Sequence, residues 1–556
     1  MSMGERVAAF RERAFSRESV RSGFKKAAIK TTIFTVIALL ATVGLAHAAG
    51  DPTGAATGGA ADIVAKTAGS PSLGEVAQDL GHLTVGTNLF FLMVGVALIF
   101  FMQAGFAMVE TGFCRAKNAA HVVMTNFIIF ATGGIAFWAI GFGLAFGGFG
   151  GLAPFGNNPI LTGMFEVAKG WGIFGTKGFF LGGGTYDVGV IGFFLFQLVF
   201  MDTAGTIVTG AMAERWKFSA FVIFGFFMAA FTYPIFAGWV WGGGWLAKLG
   251  SNLGLGHGVL DFAGSSVVHM VGGFSALAGA VVLGPRIGKF NKDGSPNAIP
   301  GHHIPMAIFG TIILVFGWMG FNGMSTLAAT DLRFTVIIAN TILAACAGGL
   351  AGMLTIWKIT GKPDPSMSAN GMLGGLVAIT APCAFVSPLG AVIIGTLAGI
   401  LVIYSVLFIE RVLKVDDPVG ASSVHGVCGA FGMIALGLFA DGTYGEGFNG
   451  VSGAVRGLFY GGGFAQLEAQ LIAVAVAAAW AFGTMYVFFR VQDAVMGIRS
   501  SEEDEIAGLD ATEMGLSAYP EFENGGNYGG GNRGSSVEPS PNTAPRRSRR
   551  PAGSEA

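Results

Sequence analysis

Residues 260–273 read LDFAGSSVVHMVGG and residues 416–429 read DDPVGASSVHGVCG. In each, an Asp stands eight residues before a His (Asp261 and His269; Asp417 and His425), and a glycine follows four residues after the His (Gly273; Gly429). Both stretches lead into apolar sequence long enough to be membrane helix. An ionisable ring there is expensive unless it faces a bundle interior or a water-filled path, so such residues mark pathways and proton relays. One motif found twice points to two copies of one structural unit.

The sequence around the motifs sets the environment. Of 556 residues, 52% are hydrophobic and 12% charged, and the mean hydropathy is +0.64; soluble domains carry about 25% charged residues. Runs such as LFFLMVGVALIFFMQAGFAMV are continuous, and each can cross a hydrocarbon core as a helix of about 20 residues. Their continuity argues against a β-barrel, whose strands alternate. The fold class is therefore an all-α polytopic membrane protein. The 91 glycines lie within the apolar runs, where small residues let helix backbones approach closely in lipid. A net charge of -1 gives no sign of nucleic-acid binding, and the four cysteines (Cys114, Cys346, Cys383, Cys428) have no metal-ligand spacing and read as packing residues.

Eleven transmembrane helices are predicted, at 86–113, 119–147, 188–212, 217–246, 264–284, 304–326, 334–359, 367–386, 389–410, 421–440 and 465–490. The two Asp/His stretches then open spans five and ten, which run in opposite directions. This is the pattern of a five-plus-five inverted repeat, whose site is expected near the midplane at the repeat interface. With the first helix running outside to inside, thirteen basic residues between Arg115 and Arg499 fall on the inner side, against six (Lys66, Lys169, Lys177, Lys248, Arg333, Arg456) outside. That bias satisfies the positive-inside rule.

The flanks read differently. Residues 1–48 carry Arg21, Lys25, Lys26 and Lys30 before TTIFTVIALLATVGLA and a small-x-small site at Ala46-His47-Ala48. They read as a signal peptide, with an uncleaved extra helix as the alternative. An Ala/Gly-rich extracytoplasmic segment follows at 49–81, then the membrane domain at 82–499. Residues 500–523 retain Ile506, Leu509, Met514, Leu516 and Tyr519 and are expected to pack on the cytoplasmic face. Residues 524–556 lack apolar periodicity and read as disordered.

For the chemistry, two His at matching repeat positions are brought together near the pseudo-symmetry axis. Each neutral imidazole has one donor and one acceptor, so the pair can relay a proton or hydrogen-bond a small polar solute; a neutral His tying two helices together is the structural alternative. No Cys, Asp or Glu accompanies them at zinc spacing, and neither metal nor cofactor is called for. Asp261 fits an N-cap whose charge also favours a nearby cation. Asp417 fits a cap with Lys414 or Arg411 as ion partner. Phe196 and Phe200 share one helix face, Trp241 lies in WVWGGGW near an outer mouth, and Trp318, Phe321 and Ser325 lie in GWMGFNGMST. Trp241 can hold a bare cation by cation–π attraction, worth about 2 kcal/mol when desolvated, with Ser325 accepting a hydrogen bond from it.

The stretches LDFAGSSVVH, ERVLKVDDPVGASSVHGVCG, GAMAERWKFSA, GWMGFNGMST and VETGFCRAKNAAHVVMTNF resemble, in order and spacing, the ammonium transporter (Amt/Mep/Rh) superfamily on its bacterial side. The resemblance covers about residues 82–520, including GLDATEMGLSAYP. It implies an eleven-helix bundle, N-terminus outside and C-terminus inside, in the cell (inner) membrane as a homotrimer with one pore per subunit. Trp241, Phe200 and Ser325 then match the outer ammonium-recruitment site and Asp261 its supporting acid. Phe200 and Phe321 match the stacked gate, with Phe196 and Trp318 lining the pore, and His269 and His425 the twin-His pair. A PII-type nitrogen signalling protein is the implied partner at the cytoplasmic face. The long N-terminal segment, the glycine-rich outer loop at 147–187 and the tail beyond 524 depart from the pattern. A sensor signalling through its tail and a neutral gas channel are the competing functions; an enzyme is the weakest, for lack of a nucleophile or metal set.

Overall fold

The computed structural model describes residues 69–150, 152–156 and 160–520. The signal-peptide reading of 1–48 and the disorder reading of 524–556 lie outside these residues. Among the described residues, eleven helices carry the apolar sequence: α1 Leu73–Phe113, α2 Ala116–Phe146, α3 Val188–Met212, α4 Phe218–Val240, α5 Ser265–Leu283, α6 Ile304–Thr326, α7 Phe334–Thr360, α8 Pro365–Ile379, α9 Pro388–Arg411, α10 Ser422–Phe439 and α11 Ala465–Met496. All but α8 are long and apolar enough to cross a bilayer.

Two helices differ from expectation. α1 starts at Leu73, well before residue 86, because Ser72 and Glu75 form a capping box: the Ser72 N–H donates to Glu75 Oε2 (2.7 Å) and the Glu75 N–H to Ser72 Oγ (3.2 Å). Such reciprocal satisfaction fixes a helix start, so residues 73–81 belong to the helix and not to an Ala/Gly-rich segment. α8 stops at Ile379, short of residue 386, because its end is engaged elsewhere. Ser265 Oγ donates to the Val377 carbonyl (2.8 Å) and accepts from the Ala381 N–H (2.7 Å), while Phe262 and Ala263 donate to the carbonyls of Ala381 and Thr380. Pro382 has no N–H to continue the ladder.

Small residues bring the helices together. A Cβ on Gly399 would lie 2.2 Å from the Gly348 carbonyl oxygen, and one on Gly375 would lie 2.4 Å from that of Ala344, which binds α7, α8 and α9 into one layer. α5 packs on α3 and α11, and α1 on α6.

The two motif helices begin alike. Asp261 accepts the N–H groups of Gly264, Ser265, Ser266 and Val267, and Asp417 those of Gly420, Ala421 and Ser422. Each cap is followed by a π-helical turn, Ser265–Met270 and Ser422–Val427, which carries the His. Such turns are frequent at functional sites. The glycine four residues after each His is the crossing point. A Cβ on Gly273 would fall 2.1 Å from the Gly426 nitrogen, and one on Gly429 would fall 2.5 Å from the Ser265 carbonyl oxygen.

At the end of the bundle rich in basic residues, Asp417 makes no ion pair with Lys414 or Arg411; Lys414 Nζ instead donates to the Gly294 carbonyl. The ionic role falls to the preceding residue. Arg286 grips Asp416 through Nε (2.9 Å) and Nη2 (3.0 Å) and reaches Glu214 through Nη1 (3.0 Å), while Arg215 Nη2 donates to the Asp416 carbonyl (2.8 Å). The reason is geometric: capping α10 takes both oxygens of Asp417, which leaves Asp416 to face the arginines.

The segment after α11 folds onto the same end. A short helix, α12 Glu502–Ala507, leads to Asp510, whose carboxylate accepts the N–H groups of Ala120 and His121 at the start of α2 (3.0 and 2.8 Å). Glu505 accepts from the Ile287 N–H, and Lys117 Nζ donates to the carbonyls of Glu505 and Ile506. At the opposite end, the 147–187 connection holds a hairpin, β1 Met164–Glu166 and β2 Gly172–Gly175, fixed to α4 by a Trp239 Nε1 bond to the Ile173 carbonyl.

Candidate substrate path

At the end away from the arginines, a cavity of about 450 Å³ opens between the helices, with Phe196, Phe200, Trp241 and Ser325 in its wall. Trp241 stands edge-on to Phe200 (centroids 5.9 Å apart, 78° between planes), and its Nε1 donates to the Asp261 carbonyl at 2.6 Å. The Ser325 hydroxyl donates back to the Phe321 carbonyl (2.7 Å). Its oxygen therefore presents lone pairs, suited to accept from a cation.

The floor of the cavity is aromatic. Phe200 and Phe321 stack at 4.1 Å with 25° between planes, and Phe196 lies 4.9 Å from Phe200. Beneath them, His269 is flanked by Phe321 (5.7 Å) and by Trp318 (5.1 Å, 22°). Trp318 is held by an Nε1 bond to Thr380 Oγ1 (2.9 Å).

His269 and His425 meet through their Nδ1 atoms at 3.2 Å, with ring centroids 5.3 Å apart. Both rings are buried, and among the described residues His269 Nε2 has no partner. A hydrogen bond between two Nδ1 atoms requires that one ring donate and the other accept. The accepting ring then carries its proton on Nε2, and the donating ring has a bare Nε2. Along the line of the pair, one outer nitrogen is a donor and the other an acceptor. Beyond His425 lies a cavity of about 20 Å³, whose wall includes Phe106, Glu110, Asn370 and Val424.

The structure thus places Trp241, Phe200, Phe196, Ser325, Phe321, Trp318, His269 and His425 along one line. Asp261 reaches that line only indirectly. It is fully buried, and its carboxylate also accepts from Ser266 Oγ (2.6 Å), so its oxygens face donors of α5 and not the cavity. Its contribution is to hold the start of α5 and, through its carbonyl, Trp241. The reading of single residues missed Thr380, Ser265 and Glu110. Only Glu110 had a legible signal, a carboxylate at the end of an apolar run.

A membrane-length helix bundle with a mouth, an aromatic constriction and a buried imidazole pair in series defines a channel or transporter for a small polar solute. A family model described as the Ammonium Transporter Family matches residues 90–519. The chain belongs to this family. It is 47% identical over 463 residues to ammonium transporter Amt2 of Archaeoglobus fulgidus, covering 83% of this chain and 93% of that protein. It is 38% identical to ammonium transporter Amt1 of Haloferax mediterranei, covering 81% and 82%. Among solved structures, one titled Sensor Amt Protein superposes with a TM-score of 0.67 at 36% identity, covering 78% of this chain and 99% of that one. Mep2 of Candida albicans superposes with a TM-score of 0.64 at 28% identity, covering 79% and 91%.

Proposed function

We propose that the protein moves ammonium across the cell membrane by recruiting the ion at Trp241, Phe200 and Ser325, removing its proton near the Phe200–Phe321 constriction, and passing ammonia along His269 and His425. The observation that carries this reading is the 3.2 Å contact of two buried imidazoles directly under an aromatic constriction. Moving an intact ion from water into such a path carries an idealised cost of order 20 kcal/mol. A cation–π site returns about 2 kcal/mol, so the charge state must change on the way. Neutral ammonia can accept from an imidazole N–H and donate to a bare imidazole nitrogen, and the pair offers one of each.

The basic-residue bias supports an orientation with the Trp241 mouth outside and the Arg286 end in the cytoplasm. A homotrimer with one path per subunit accords with the family. Segment 500–518, folded on the cytoplasmic end, offers a surface for a PII-type signalling protein. The likeness to a solved sensor favours a second role for that segment, in reporting occupancy of the path.

The test is methylammonium uptake into vesicles containing the purified protein, with current recorded under an imposed ammonium gradient. Uptake that survives alanine at both His269 and His425 refutes the pathway. Current accompanying uptake assigns proton transfer to the pair, and uptake without current assigns transport of ammonia alone. A neutral gas channel predicts that Trp241 and Ser325 substitutions leave flux unchanged.

A further inference from the structure

A buried acid stands on the path itself, used neither by the recruitment site nor by the His pair. Glu110, in the last turn of α1, is 2% exposed and lies in the wall of the cavity below His425. Among the described residues, no Lys, Arg or His comes within ion-pair distance of it. Its partners are neutral: Asn126 Nδ2 donates to Oε2 at 2.7 Å, and Thr209 Oγ1 stands 2.8 Å from Oε1 and 2.7 Å from Oε2. Gly210 allows α3 this close, since a Cβ there would sit 3.0 Å from Oε1. Thr206 Oγ1 donates to Asn126 Oδ1 (2.8 Å) and accepts from Gln103 Nε2 (2.9 Å), which fixes the Asn126 amide with its NH₂ toward Glu110.

Counting protons identifies the form of the acid. Thr209 Oγ1 also stands 2.5 Å from the Thr206 carbonyl oxygen, and a hydroxyl has one proton to give. Given to that carbonyl, it leaves Thr209 an acceptor, and the contact with Glu110 is a hydrogen bond only if the carboxyl carries a proton. Given to Glu110, it leaves the carbonyl contact unfilled. The first arrangement fills the carbonyl contact and one of the two carboxyl contacts, and leaves Oε2 to accept from Asn126. It also avoids an unpaired carboxylate, whose burial costs several kcal/mol. The titratable groups facing Glu110 are His425 across the cavity, Cys114 one turn on, and Asp417, whose oxygens cap α10.

We infer that Glu110 is the proton-carrying group of the inner half of the path: it receives the proton that passes through the His pair and returns it to ammonia as the substrate leaves. The inference rests on the His-pair reading above. The cavity between His425 and Glu110 is large enough for one water, which needs about 10–15 Å³. In the return step, the ammonia lone pair takes the proton of the Glu110 carboxyl. An N–H bond forms as the O–H bond breaks, leaving ammonium and a carboxylate. The carboxylate then takes a proton from the cavity water, which is refilled from the His425 imidazolium, so no proton is made or lost.

The experiment compares Glu110→Gln, which keeps the shape but has no proton to transfer, with Glu110→Asp, which keeps the acid. Ammonium-jump currents and luminal pH are read in proteoliposomes of the full chain. The Gln variant is expected to lose current about a hundredfold, the usual order for a positioned proton donor, while residual ammonia entry alkalinises the lumen. The Asp variant is expected to retain current with a displaced pH profile. Wild-type current in Glu110→Gln overturns the inference. So does equal silence of the Gln and Asp variants when both melt at the wild-type temperature. Thr209→Val, which leaves the acid but removes its hydroxyl partner, should shift the midpoint of the current–pH curve, and an unshifted midpoint counts against the role. His269→Ala run alongside separates the two readings: unchanged current there sinks the His-pair reading itself, whereas a silent His269→Ala beside a fully active Glu110→Gln sinks only the role of Glu110.

Discussion

Gly273→Ala is the sharpest probe of how the path is held. A methyl group at residue 273 would lie 2.1 Å from the Gly426 nitrogen, 2.6 Å from its Cα and 2.8 Å from the His425 carbonyl carbon. All three are backbone atoms, so no side chain can swing away, and ordinary contact at 3.4 Å is reached only if α5 and α10 part. If that parting, about 1.3 Å, is passed on to the rings, the 3.2 Å Nδ1–Nδ1 contact opens to about 4.5 Å, beyond any hydrogen bond. Overpacking of this kind destabilises by about 1–3 kcal/mol, and a 1 Å misplacement of a reacting group can lower a rate by about a hundredfold. Methylammonium uptake per mole of protein should therefore fall by about two orders of magnitude, with a modest drop in melting temperature. Gly426→Ala is the control. Its methyl group would meet Gly273 atoms no closer than 3.4 Å, so uptake should stay close to wild type. A Gly273→Ala protein that transports normally would refute the claim that this crossing sets the imidazole contact.

Three further outcomes follow from the same geometry. Potassium matches ammonium in size but has no proton to shed, so acidic residues at both 269 and 425 should raise potassium leak in flux assays; unchanged exclusion would count against the pair as the filter. Trp241→Leu removes a cation–π contact of about 2 kcal/mol, which at 1.36 kcal/mol per decade raises half-saturation for ammonium about thirtyfold; an unmoved half-saturation in an uptake titration would place recruitment elsewhere. Asp416→Asn takes the Asp416 carboxylate from Arg286, which keeps Glu214 alone, and breaking such a buried pair costs about 3–5 kcal/mol, measurable as a lower melting midpoint. Burial by itself would raise the Asp416 carboxyl, but Arg215 and Arg286 outweigh it and hold the group well below the usual carboxylate range. With a depressed folded pKa, its stabilisation is complete above the ordinary value of about 3.9 and fades only as pH falls below it. Wild type and Asp416→Asn should therefore converge in stability only under strong acid, and convergence near neutral pH would contradict the assignment.

Much was legible in the chain itself. Helix number and the paired Asp/His motifs follow from runs of apolar residues and their spacing, which are local, additive signals. Whether the Gly273 and Gly429 spacing mattered was visible only as repetition; its meaning, two backbones crossing with no room for a methyl, required both helices. Asp416 and Asp417 look interchangeable on paper. The structure separates them because one faces α10 N–H groups and the other faces two arginines. The early start of α1 lay in a capping box that an apolar scan does not weigh.

By itself, then, the sequence determined that this is a helical membrane bundle with a doubled Asp/His unit, because the period and length of apolar runs are properties of neighbours along the chain. Only tertiary structure decided that two rings 156 residues apart share a hydrogen bond, that Asp261 acts through its carbonyl, and that Glu110 faces Thr209 and Asn126. Those outcomes depend on hydrogen-bond geometry between distant helices, where a shift of 1 Å makes or breaks the contact.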